Sequence, residues 1–130
     1  KNISNSKFFI IGFAFKGSPE TSDMRGSTTL DLLSEIRMKK VNNKYIFGYD
    51  FVVEPSEIEA LNINYSNLQT GFDNADVVII MNNHQSLKKI DIFSLLKTSK
   101  EDLIFVDGWH TFNPKDITKG NRVNYIGVGC

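Results

Sequence analysis

Cysteine is almost missing from this chain: its 130 residues hold one, Cys130, at the very end, so no internal disulfide can form and a reducing, cytoplasmic setting is expected. An excess of one charge is missing too. Lys plus Arg and Asp plus Glu each number 15, and the balance holds at 8 against 8 up to residue 65 and 7 against 7 beyond it. Neither a nucleic-acid footprint nor a polybasic membrane patch fits that distribution. The longest apolar stretch, residues 8–15, is far short of the roughly 20 residues of a membrane span, so a soluble protein is expected. With no initiating Met and no basic-then-apolar leader, residue 1 reads as a fragment boundary.

Several catalytic signatures are also missing. There is no G-x-S-x-G elbow, no Walker loop and no H-E-x-x-H, and His84 and His110 lack Cys or clustered carboxylates at metal-ligand spacing. Cys130 has no indicated base beside it and is a poor nucleophile. No catalytic residue and no metal site is therefore expected within the chain.

What is present is a core-forming composition. Hydrophobic residues make up 41% and charged residues 23%, ordinary globular values, over a length typical of one domain. Residues 7–15 form a continuous run rich in aromatic and β-branched side chains, the mark of a strand buried on both faces. Residues 16–26 use the Gly, Pro, Ser and Asp of a loop. Leu30, Leu33 and Ile36 then recur at helical spacing, with Asp31 early, Arg37, Lys39 and Lys40 late, and Ser27 or Thr28 as N-cap, which predicts a helix over about 27–40.

The alternation continues. Strands are expected at 44–50, 63–65, 76–81, 103–107 and 123–126, with helical segments at 55–61, 67–72 and near 88–98. Apolar strands alternating with amphipathic helices predict an α/β fold, a Rossmann-like three-layer sandwich with a mostly parallel sheet of about five or six strands.

Ligands of such sheets sit beyond the carboxyl ends of the strands, which directs attention to the loops there. Gly12-Phe-Ala14-Phe-Lys16-Gly17 imitates the dinucleotide pattern G-x-G-x-x-G, with Ala in the middle position and a Pro-containing loop where a helix should start. Lys16 is placed to pair with a ligand phosphate and Phe15 to lie against a base or ribose; the alternatives are a solvated lysine and a core Phe. Asp23 and Arg25 fit either a local cap and salt bridge or an anion clamp. The polar run Asn82-Asn83-His84-Gln85 can cap loop backbone or read a ligand edge. Trp109 and His110, after the fifth strand, can stack on a base or sugar or form an aromatic lid on the core.

One longer pattern collects these residues. Gly12-Phe-Ala-Phe15-Lys16-Gly17-Ser-Pro-Glu-Thr-Ser-Asp23-Met-Arg25-Gly-Ser27 resembles the G-x-A-F-K…D-x-R-x-S/T signature of the C-terminal, UDP-binding domain of the UDP-glucose/GDP-mannose dehydrogenase family. Tyr49-Asp50-Phe51, Asn74-Ala75-Asp76, Phe105-Val106-Asp107-Gly108 and Tyr125-Ile-Gly127-Val-Gly129 resemble further landmarks of that family, in the same order. Trp109 and His110 stand where the family usually has Arg, and Phe51 where it has Pro.

The resemblance implies that residues 1–130 are one UDP-sugar-binding domain, a C-terminal fragment of a larger enzyme. It implies a nucleotide-sugar 6-dehydrogenase that oxidises a C6 alcohol to a carboxylate in two NAD-dependent steps. The catalytic cysteine and the NAD would then belong to N-terminal and middle domains outside the chain, in an enzyme that is a homodimer, and the isolated domain would be inactive. Substrate-binding positions carried over by the motif are Phe15, Lys16, Gly17, Asp23 and Arg25, joined by Trp109 and His110 at the substituted turn. Polysaccharide precursor synthesis is the associated role. Two other classes compete with this expectation: a stand-alone NAD-binding or regulatory Rossmann-like domain, and an interaction domain without a ligand.

Overall fold

The computed structural model describes residues 5–14, 21–24, 27–119 and 122–127. Its centre is a parallel sheet of β1 (Phe8–Ile11), β2 (Ile46–Tyr49), β3 (Asn64–Tyr65), β4 (Val77–Ile80), β5 (Leu103–Asp107) and β6 (Val123–Gly127), in the spatial order β3-β2-β1-β4-β5-β6. Every neighbouring pair of these strands runs parallel. The order reverses direction between β1 and β4, and a ligand crevice opens where a doubly wound sheet makes that switch.

Helices lie on both faces. α1 (Thr28–Met38) and α2 (Pro55–Glu59) lie on one side, where Leu33, Ile36 and Ile58 pack on Phe8, Ile10 and Ile46. On the other side, α3 (Leu68–Phe72), α4 (Ile92–Leu96) and α5 (Pro114–Thr118) bring Phe72, Leu95 and Ile117 against Phe9, Ile11, Val78 and Phe105. Alternate residues of β1 therefore feed two separate cores. The expected three-layer sandwich is the architecture observed, with every strand parallel.

Three boundaries differ from the sequence expectation. β1 stops at Ile11, because Gly12 turns the chain with φ +106° and Phe13 and Ala14 are buried in the connection rather than in the strand. The helix expected near 88–98 is two pieces: a 3₁₀ turn at Gln85–Lys89, then α4 after an extended Ile90. Asp91 separates them by starting a new helix, accepting from the Ser94 N–H at 3.3 Å and from the Ser94 hydroxyl at 2.7 Å. α5 was not expected at all; Asn113 caps it by accepting from Lys115 N, and Pro114 opens it.

α1 follows expectation closely. Ser27 is its N-cap, its hydroxyl accepting from Thr29 N at 3.1 Å, and Lys40 ends the segment in the left-handed region with φ 65°. No helix among the described residues is long and apolar enough to cross a membrane.

Candidate functional site

The crevice is built from the turns after β1, β2, β4 and β5. Gly12 is held from two sides: its N–H donates to Tyr49 O at 2.9 Å and its carbonyl accepts from the Thr29 hydroxyl at 2.7 Å. A Cβ on residue 12 would lie 2.8 Å from the Asn82 side chain and backbone, so the β1 and β4 turns touch here and only glycine fits.

Asp50 ties these turns together. The side chain is 6% exposed, and one carboxylate oxygen accepts from Phe13 N at 2.7 Å and Ala14 N at 3.0 Å. The other accepts from Val52 N at 2.8 Å and Val53 N at 2.9 Å, while Asn82 Nδ2 reaches the first at 3.4 Å. Four backbone N–H groups replace the water that a buried carboxylate loses, so Asp50 fixes the path of the chain leaving β1. Beside it, burial first, then Tyr65 and Asp50, push the Tyr49 hydroxyl pKa above the ordinary 10.0, which keeps it protonated.

Asp107 does the same work at the end of β5. Fully buried, it accepts from Trp109 N at 3.2 Å, Phe112 N at 2.9 Å and the Tyr125 hydroxyl at 3.0 Å. The turn it shapes presents Trp109, which is 46% exposed, with the indole N–H donating to Met81 O at 3.0 Å. That bond fixes the ring across the carboxyl end of β4. Trp109 is therefore a half-exposed platform rather than a lid sealed on the core.

His110 sits beside it in a left-handed conformation, φ 50°. A Cβ on Gly127 would lie 2.7 Å from its ring, so the glycine at the end of β6 makes the room that this imidazole occupies. Across the gap, His84 stacks on Phe51 at 4.8 Å and 16°, and its Nδ1 accepts from Ser86 N at 3.1 Å. Asn82 Oδ1 accepts from His84 N at 3.3 Å, so the polar run after β4 does cap loop backbone. These rings bound a cleft of about 340 Å³ lined by His84, Lys88, Trp109, His110, Thr111 and neighbouring amide side chains. Among the described residues its lining holds no carboxylate, and Lys88 is the cation there.

The expected site residues divide accordingly. Trp109 and His110 come together with the β4 turn. Asp23 is half-buried in the β1–α1 connection, its backbone N–H donating to the Thr21 hydroxyl at 3.1 Å. Phe15, Lys16, Gly17 and Arg25 lie outside the described residues. Asp50, Thr29 and Lys88 were not anticipated; Tyr49-Asp50 was noticed as a motif, but nothing local announces the carboxylate's distant partners. Among the described residues no group of three or more His, Cys, Asp or Glu could hold a metal ion.

Comparison with known proteins bears on this geometry. A sequence comparison with curated proteins gives no match. The fold matches solved structures of a UDP-D-ManNAc dehydrogenase from Pyrococcus horikoshii, with TM-score 0.75 and 21% identity over 98% of this chain and 26% of that one. An NDP-N-acetyl-D-galactosaminuronic acid dehydrogenase from Methanosarcina mazei Go1 matches with TM-score 0.75 and 20% identity, over 98% of this chain and 25% of the other. The UDP-N-acetyl-mannosamine dehydrogenase of S. aureus gives TM-score 0.67 and 19% identity, over 94% and 26%. At these identities the likeness is one of fold, and the chain spans about a quarter of the length of these structures. The family model matched is that of the UDP-glucose/GDP-mannose dehydrogenase family, UDP binding domain, over residues 9–114, which is most of the chain. The chain belongs to the UDP-glucose/GDP-mannose dehydrogenase family, as its UDP-binding domain.

Proposed function

We propose that the crevice beyond β1, β4 and β5 binds the nucleotide part of a UDP-sugar for an NAD-dependent nucleotide-sugar 6-dehydrogenase. The observation that carries this is the cleft between the β4 and β5 turns, whose described lining has no carboxylate and sets Trp109, clamped as a platform, beside His84, His110 and the cation of Lys88. An aromatic face takes a base or sugar ring, and cationic and amide donors take an anion. Phe15 and Lys16, with Gly17, are assigned to the uridine and phosphate side, and Asp23 and Arg25 to the shape of the connecting loop.

A dinucleotide does not fit the first turn. The N–H groups of Phe13 and Ala14, which a pyrophosphate would need, both donate to Asp50. The stand-alone NAD-binding alternative is therefore disfavoured. NAD and the catalytic cysteine are assigned to other domains of a longer homodimeric polypeptide, in which the cofactor accepts hydride from the sugar carbon. The part left to this domain is positioning: holding the nucleotide so that the sugar C6 projects out of the crevice, where binding energy remote from the reacting carbon lowers the barrier by fixing geometry.

Titration calorimetry tests this with UDP on the parent chain and on Lys16→Ala. UDP should bind the parent, and the variant should bind more weakly by about 1.5–3 kcal/mol, the range of a charge-assisted contact. No heat with UDP, UDP-sugars or GDP-sugars would contradict it.

A further inference from the structure

The three strands on one side of the switch point are finished differently on their two faces. Toward α4 and α5, Val78, Ile80, Leu103 and Phe105 are fully buried. On the α1 side, the register sets Val77 and Ile79 beside Ile104 and Val106, and these beside Asn124 and Ile126. That strip carries no charge, yet Ile104 is 40% and Ile126 48% exposed. Between it and Leu32 of α1 lies a groove of about 420 Å³ that runs up to Trp109. All-parallel sheets are covered on both faces, and β5 is apolar on both, so half of one covering layer is missing among the described residues.

From the dimensions, we infer that one amphipathic helix covers this strip, supplied by the stretch of the same polypeptide that precedes residue 1. From β4 to β6 is about 10 Å at the usual strand spacing, the diameter of a single helix. Apart from Asn124 on β6 the strip is aliphatic, so the helix presents an aliphatic stripe. The chain enters the fold at the foot of that strip: Lys7 N donates to Asp76 Oδ2 at 2.8 Å, and the N–H groups of Asp76 and Val77 donate to Lys7 O. A helix descending antiparallel to the strands beside α1 would deliver the chain there. The solved relatives are about four times as long as the stretch matched, ample to supply it. This inference rests on the proposal that the chain is one domain of a longer dehydrogenase.

The test introduces Ile104→Glu and Ile126→Glu separately into the 130-residue chain and into the polypeptide of the complete reading frame. Expected is a monomeric 130-residue chain by sedimentation whose melting temperature each change moves by less than about 2 °C, and a longer polypeptide whose melting temperature falls by about 5 °C or more. Equal, small shifts in both would overturn the inference and leave the domain proposal standing. A dimeric short chain that either glutamate dissociates overturns it in favour of a second copy, and loss of folding in the short chain overturns it because the face is then internal. A reading frame without an upstream domain overturns the domain proposal itself, and the helix with it.

Discussion

Asp50 and Asp107 are two buried carboxylates whose place in the fold is explained by hydrogen-bond geometry. Each sits at the last position of an apolar strand or just past it and gathers backbone N–H groups from turns that would otherwise splay. Replacing Asp50 with Asn turns one acceptor oxygen into an NH₂ donor that faces N–H groups. The variant should lose about 3 kcal/mol of stability, read from urea midpoints, whereas a loss under about 1 kcal/mol would show that water already satisfies those donors. The same geometry explains what could be read ahead of time and what could not. Trp109 and His110 were visible because a ring pair directly after a strand falls at the ligand edge of any such sheet. Asp50 was not, because its partners Phe13 and Ala14 lie 37 and 36 residues away and no local spacing encodes them.

Elements show the same division between local and distant causes. β4 and β5 were legible as uninterrupted apolar runs, and α1 was legible as spaced leucines with a serine cap. α5 escaped because five residues with one buried side chain, Ile117, are too short for any periodicity, although Asn113-Pro114 is a start signal in its own right. The split before α4 escaped because Ile92, Leu95 and Leu96 mark a helix without marking where it begins, and Asp91 sets that start. That break carries a pH signature. The Ser94 side-chain and backbone hydrogen bonds hold the exposed Asp91 carboxyl below its ordinary 3.8, with desolvation opposing weakly and Lys97 assisting. The unfolded chain therefore takes up this proton first, so the contribution of the cap is fully present above pH 3.8 and disappears as pH falls through the lowered folded value. Asp91→Ala should be less stable than the parent at neutral pH, and the gap in urea midpoints should narrow in acid below pH 3.8; a gap independent of pH would mean that the carboxylate charge has no part in the cap.

At the scale of the whole molecule, an ordinary globular composition over the length of one domain points to a single packed unit. The fold supports that for packing, with a core on each face of the sheet. The unsealed strip over β5 and β6 and the quarter-length match to solved dehydrogenases are the observations on which the proposal of a longer polypeptide rests. The central claim, that its crevice holds the nucleotide, has a direct reporter, because the only tryptophan in the chain is Trp109 at the cleft. Titrating UDP while exciting that indole should give a saturable change in emission, at concentrations where NADH gives a weaker one or none. An unchanged emission with UDP, beside a tighter saturable response to NADH, would contradict it.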